Sequence, residues 1–168
     1  MEIKYNVTYA FHEGADPLVN AIYLRALLDA MVEINIGVMR NTPKLFPPLY
    51  KSGVVYKRTY VWEPIPELYL PNKQPIPRDE PFFEPVGVSG GAKGGDCKSL
   101  TAALVAQYML SGVRCQPVFR WIPRGDGSGA LDFHILVQTA SGFEDPSKVL
   151  GMNEADVARF YNERGVST

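Results

Sequence analysis

The sequence predicts a single α+β domain in which a helix packs on an antiparallel sheet. Three observations predict it: helical apolar spacing near the start, a glycine-rich approach to a second helix at Asp96, and two strand-like runs around 115–122 and 131–139 split by a turn-rich loop. With 168 residues, 46% apolar and 21% charged, the chain supports one core of ordinary size, and a second domain is not expected. Four stretches divide it: 1–42 as a strand plus a long helix, 43–95 as a wrapping segment, 96–152 as the core carrying the candidate site, and 153–168 as a C-terminal helix and tail.

Taken in order, residues 2–11 alternate Ile3, Tyr5, Val7, Tyr9 and Phe11 with polar neighbours, the period of a strand with one buried face. Asp16-Pro17 then supplies an N-cap and a first helical position. Leu18, Val19, Ile22, Tyr23, Ala26, Leu27, Ala30, Met31 and Ile34 recur at helical spacing, so a helix is expected over about 17–36, ending near Gly37. Ten of the fourteen prolines fall between Pro43 and Pro85, which excludes a long helix there and leaves only short extended pieces, one of them Gly53 to Trp62. Phe46, Tyr50, Trp62, Tyr69, Phe82 and Phe83 make this segment too aromatic for a disordered linker, so it is expected to wrap the surface as one wall of a cleft.

Ser89 to Gly95 reads as a flexible run delivering the chain to Asp96, a good N-cap, with Cys97 at the first helical position and Gly112 closing the helix. Cys115 to Ile122 and Leu131 to Thr139 read as strands, and a tight turn near Ala140-Ser141-Gly142 folds a hairpin onto Phe143-Glu144-Asp145. Glu154 to Arg164 reads as a short helix begun by Asn153 or Met152.

Seventeen basic against eighteen acidic residues give a net charge of -1, so no global field draws in nucleic acid or an anionic membrane. No stretch reaches the roughly 20 apolar residues of a membrane span, and Met1 to Tyr5 lacks the apolar run of a secretory signal. A chain working in a cytoplasm is expected. Two cysteines, Cys97 and Cys115, and two histidines, His12 and His134, lack CxxC or HxxxH spacing, so no metal, cofactor or structural disulfide is expected. A P-loop needs glycine directly before Lys-Ser and again five residues earlier; Cys97 and Ala92 stand in those places, which argues against a nucleotide site.

The chemistry concentrates at Cys97. A thiol is a weak nucleophile at neutral pH unless a positive charge or a helix N-terminus favours the thiolate. A helix start supplies about half a positive charge in unsatisfied N–H groups, and the same groups can donate to an oxyanion forming on a carbonyl. The Asp96 carboxylate is expected to cap the Ser99 amide. His134 lies 37 residues after Cys97, and Asp145 lies 11 after His134 across the hairpin. An even-numbered loop puts position 145 opposite an even-numbered residue, on the sheet face of His134, where an imidazole that takes the thiol proton is oriented by a carboxylate.

Each residue also has a plainer reading. Cys97 fits a small buried helix residue, His134 a hydrogen-bonded core histidine, Asp145-Pro146 a turn opener, Cys115 a strand core and His12 a strand end. The argument for chemistry rests on the order of the set.

Gly95-Asp96-Cys97 opening a helix, then Gly112-Val113, Phe133-His134-Ile135-Leu136-Val137 and Glu144-Asp145-Pro146, resembles the transglutaminase-like branch of the papain-like cysteine-enzyme superfamily over roughly residues 50–152. Leu49 to Tyr56, Trp62 to Glu67 and Glu144 to Met152 are similar to small bacteriophage and prophage members of that branch, which are usually encoded among virion structural genes. The resemblance implies a papain-like fold, a catalytic helix on an antiparallel sheet, here with an additional N-terminal strand and long helix. It implies Cys97 as nucleophile, His134 as base and Asp145 as third member, with Trp62 and Asp96 as oxyanion or supporting residues. The implied reaction is acyl transfer on protein or peptide amides through a thioester, a cysteine protease or amidase in phage morphogenesis or entry. Its partners are then a protein or peptide substrate and other virion structural proteins, and its places the host cytoplasm and the virion. Ser99 stands where the family often has an acid, and the glycine run before Gly95 is longer than usual. The alternative expectation is a catalytically silent virion structural or adaptor domain that binds proteins through the segment from 43 to 85.

Overall fold

The computed structural model describes residues 17–56, 94–123, 127, 131–162 and 166–167. The expected strand over 2–11, Asp16, His12, Trp62 and most of the wrapping segment lie outside the described residues.

Helix α1, Pro17–Asn41, opens on the proline that the sequence marks as a first helical position. It runs through Gly37 instead of stopping there. A mid-helix glycine costs about 1 kcal/mol relative to alanine, whereas Pro43 cannot continue a helix at all. The last turn is closed by Thr42, whose amide and hydroxyl donate to the Val38 carbonyl at 2.9 and 2.8 Å. The buried face is Leu24, Leu28, Met31, Val32, Asn35, Ile36 and Met39, while Ile22 is exposed. The stripe expected from spacing is thus rotated. This helix is apolar on more than one side, so periodicity alone could not choose the side that docks.

Two single-turn 3₁₀ helices follow, Pro43–Leu45 and Leu49–Lys51. The Gln107 side chain anchors them, accepting from the Leu49 amide at 2.9 Å and donating to the Pro47 carbonyl at 3.0 Å. Strand β1, Val55–Tyr56, pairs in parallel with β2, Gly94–Gly95. The glycines expected as a loose approach therefore include a short paired stretch immediately before the next helix. Of the extended piece expected over 53–62, the described strand covers 55–56.

Helix α2, Cys97–Leu110, is buried continuously from Cys97 to Ala106 and packs against α1. It ends at Gly112, whose φ of 77° is a conformation open to glycine and strained for other residues. Beyond it, β3 (Cys115–Pro123), β4 (Leu131–Thr139), β5 (Gly142–Glu144) and β6 (Val166–Ser167) form one antiparallel sheet in the order β5-β4-β3-β6. Phe119, Ile135 and Val137 join the core of α1 and α2, where burying a side chain such as Leu100 is worth about 1.5–3 kcal/mol. Ile122 packs instead with Met152 and Phe160, so the sheet is covered on both faces. Phe160 belongs to α4, Glu154–Asn162, which Asn153 caps by accepting the Asp156 amide at 2.9 Å. A short helix, α3 (Pro146–Val149), lies between β5 and α4 and was not expected from the sequence. The architecture is mixed α+β, as expected. Among the described residues no helix is long and apolar enough to cross a membrane.

Candidate active site

Cys97 is the first residue of α2 because Asp96 caps the helix: its Oδ1 accepts the Lys98 amide at 2.9 Å and the Ser99 amide at 3.5 Å. The stronger bond goes to Lys98, one residue earlier than expected. Asp96 Oδ2 pairs with the Lys98 ammonium, and both side chains are buried. Lys98 Nζ also lies 6.0 Å from the centre of the Phe133 ring. Burying an ion pair in this way relies on mutual neutralisation, since either charge alone would carry a desolvation cost of several kcal/mol.

His134 comes from the middle of β4, directly opposite Arg120 in register. It is 1% exposed, and Phe160 packs against its ring with centroids 4.9 Å apart. The two-residue turn sets Val137 opposite Glu144, so position 145 falls next to the even-numbered positions of β4, the parity argued from sequence. Asp145 itself is not in the strand. It is the N-cap of α3, with Oδ1 accepting the Ser147 and Lys148 amides at 2.9 and 3.2 Å. This leaves Oδ2 for His134 Nε2 at 2.9 Å, and the same oxygen accepts the Tyr161 hydroxyl at 2.5 Å.

Burial works against a charged His134, yet hydrogen bonds and charge from Asp145 and Cys97 outweigh it and push the imidazole pKa up to about 10. Burial likewise works against the Asp145 carboxylate, and the His134 hydrogen bond and charge, the Tyr161 hydroxyl and the Lys148 amide hold it below its usual range. With Nε2 taken by Asp145, Nδ1 is the ring nitrogen left to meet the sulfur. The helix is pinned to the strand of His134 by Thr101, one turn after Cys97, whose hydroxyl donates to the Ile135 carbonyl at 3.2 Å.

A second carboxylate supports the hairpin. Glu144 accepts the Tyr50 hydroxyl on Oε1 at 2.5 Å and the Tyr108 hydroxyl on Oε2 at 2.6 Å, joining a 3₁₀ turn and α2 to β5 one residue before Asp145. The hydrogen bond to Glu144, followed by burial, pushes Tyr108 up to about 12, while burial and Glu144 raise Tyr50 well above its usual range. Both remain donors at neutral pH.

Cys97, His134 and Asp145 are therefore brought together, with Asp96 beside them, and Trp62 lies outside the described residues. Sequence reading missed Lys98, Thr101, Tyr161 and Phe160 as parts of the cluster. A signal for α3 was present in Asp145-Pro146, the same pair that marks a helix start at Asp16-Pro17. No group of three or more His, Cys, Asp or Glu among the described residues is arranged to hold a metal ion. Comparisons with protein-family models, curated proteins and solved structures find no match to this chain.

Proposed function

We propose that this chain is a cysteine-dependent acyl-transfer enzyme, a peptidase or amidase acting on protein or peptide amides, built on the papain-like, transglutaminase-like plan and serving a bacteriophage in morphogenesis or entry. The observation that carries the reading is a thiol at the first position of a buried helix, beside an imidazole whose far nitrogen is held by a helix-capping carboxylate. In the first step His134 takes the proton of the Cys97 thiol. The sulfur attacks the amide carbonyl carbon, forming a C–S bond, and the carbonyl oxygen gains a negative charge near the positive end of the α2 dipole. The imidazolium then passes its proton to the leaving nitrogen as the C–N bond breaks, giving a thioester and an amine. Water attacks the thioester, His134 takes the water's proton, and the acid and the thiol are released.

The test is alkylation of Cys97 by iodoacetamide between pH 5 and 9 in a Cys115→Ser background, with and without His134→Ala. Below pH 7 the sulfur is expected to react faster than an ordinary thiol, and His134→Ala to slow it by roughly 100-fold. Equal, slow alkylation in both proteins would overturn the reading. One observation favours the second reading, a silent virion adaptor: Cys97 is only 8% exposed. Stoichiometric copies in purified particles with an unreactive Cys97 would support the adaptor.

A further inference from the structure

Asp145 is more completely held than a group that only orients an imidazole requires. Two backbone amides fix Oδ1, and Oδ2 is shared between His134 Nε2 and the Tyr161 hydroxyl. Tyr161 arrives on α4, whose preceding residue, Phe160, lies against the His134 ring. Its own ring is flanked by two cations, with the Arg120 guanidinium 5.2 Å and the Lys148 ammonium 4.9 Å from its centre. Arg120 belongs to β3 and Lys148 to α3, so the ring is gripped from two elements while its hydroxyl meets the carboxylate.

Resting on the acyl-transfer reading of the site, we infer that Tyr161 is a positioning residue that acts through Asp145, sharing Oδ2 with His134 so that the carboxylate orients the imidazole without over-holding its proton. The physical reason is competition on one oxygen. A hydroxyl donating to Oδ2 draws off part of the negative charge that would otherwise stabilise the imidazolium through its Nε2–H, so the proton on Nδ1 remains transferable to the leaving nitrogen. Burial, then the bond to Asp145, raises the Tyr161 hydroxyl far above its usual range, with Arg120 opposing, so it stays a donor throughout the working pH range. The C-terminal helix is in this way part of the active site, although it supplies no group that touches substrate.

Tyr161→Phe tests this, because it keeps the ring and its two cation contacts and removes only the hydroxyl. The His134 imidazole is followed by nitrogen NMR against pH, alongside Cys97 alkylation and thermal unfolding. Tyr161→Phe is expected to raise the His134 midpoint by about half a unit or more while Cys97 alkylation stays at least as fast as in the wild-type protein. Leu28→Ala, in the buried face of α1, is expected to lower Tm while leaving that midpoint in place. A Tyr161→Phe protein with lower Tm and an unchanged His134 midpoint would overturn the inference, making the hydroxyl a structural brace alone. A shifted midpoint combined with an ordinary Cys97 in the wild-type protein would uphold the hold of Tyr161 on the pair and overturn the acyl-transfer reading instead.

Discussion

The two cysteines of this chain meet one helix in opposite ways. Cys97 begins α2, at the positive end of the helix dipole, and it has His134 as its partner. Cys115, half-buried on β3, directs its Sγ–H at a carbonyl of the same helix, Val105 O, at 3.7 Å. Burial pushes that second thiol up from its usual range. The contrast teaches that burial alone does not make a cysteine chemical. N–H groups and an imidazolium favour a sulfur anion, and a carbonyl in an apolar setting favours the protonated thiol.

The most direct way to break that contrast is to remove each sulfur in turn. Cys97→Ser is expected to abolish rapid alkylation and any amidase turnover, whereas Cys115→Ser should leave both within about twofold, as measured by mass-resolved labelling. Comparable labelling of both sulfurs in the wild-type protein would erase the distinction. Next in size is Asp96→Asn, which keeps an N-cap oxygen but removes the charge that neutralises the buried Lys98. It should cost about 3 kcal/mol in urea unfolding, against about 1 kcal/mol for the loss of a cap alone.

The pH dependence of stability sharpens the comparison from the imidazole side. The His134 value is raised in the fold from its ordinary 6.5 to about 10, so its contribution is complete below about pH 6.5 and fades as pH rises through 10. Asp145 is lowered, so its contribution is present above its ordinary 3.8 and fades only in stronger acid. Tm is thus expected to fall between pH 6.5 and 10 in the wild-type protein, and to fall less in His134→Gln. The smallest expected effect is that of Thr101→Val, which removes the bond to the Ile135 carbonyl. About 1 kcal/mol of stability should go with it, and Cys97 alkylation should slow several-fold because the sulfur is less firmly registered against His134, while Cys115 labelling is unchanged.

The chain-local signals were the legible ones. Asp96 as a cap, Cys97 as the first helical residue, Gly112 as the helix end and Leu131–Thr139 as a strand follow from backbone chemistry within a few residues, and each is found where the sequence implies. The parity that sets position 145 on the His134 side follows from the two-residue turn. By contrast, the docked face of α1 depends on what α2 offers, and a helix apolar on several sides does not disclose it. Asp145 as a helix cap could be read locally, but it was masked by the equal fitness of Asp-Pro for a turn.

What the sequence alone determined is the order of Cys97, His134 and Asp145 and the local elements that carry them, because capping, turn geometry and strand alternation act over one or two turns of chain. Only the tertiary structure decided that Lys98 is buried against Asp96, that Thr101 ties α2 to β4, and that α4 returns with Phe160 and Tyr161 to close on His134 and Asp145. Apart from the Lys98–Asp96 pair, whose burial depends on what packs over it, those contacts join residues far apart in the chain, and packing selects them through shape and the need to satisfy buried charge, neither of which leaves a periodic mark in the sequence.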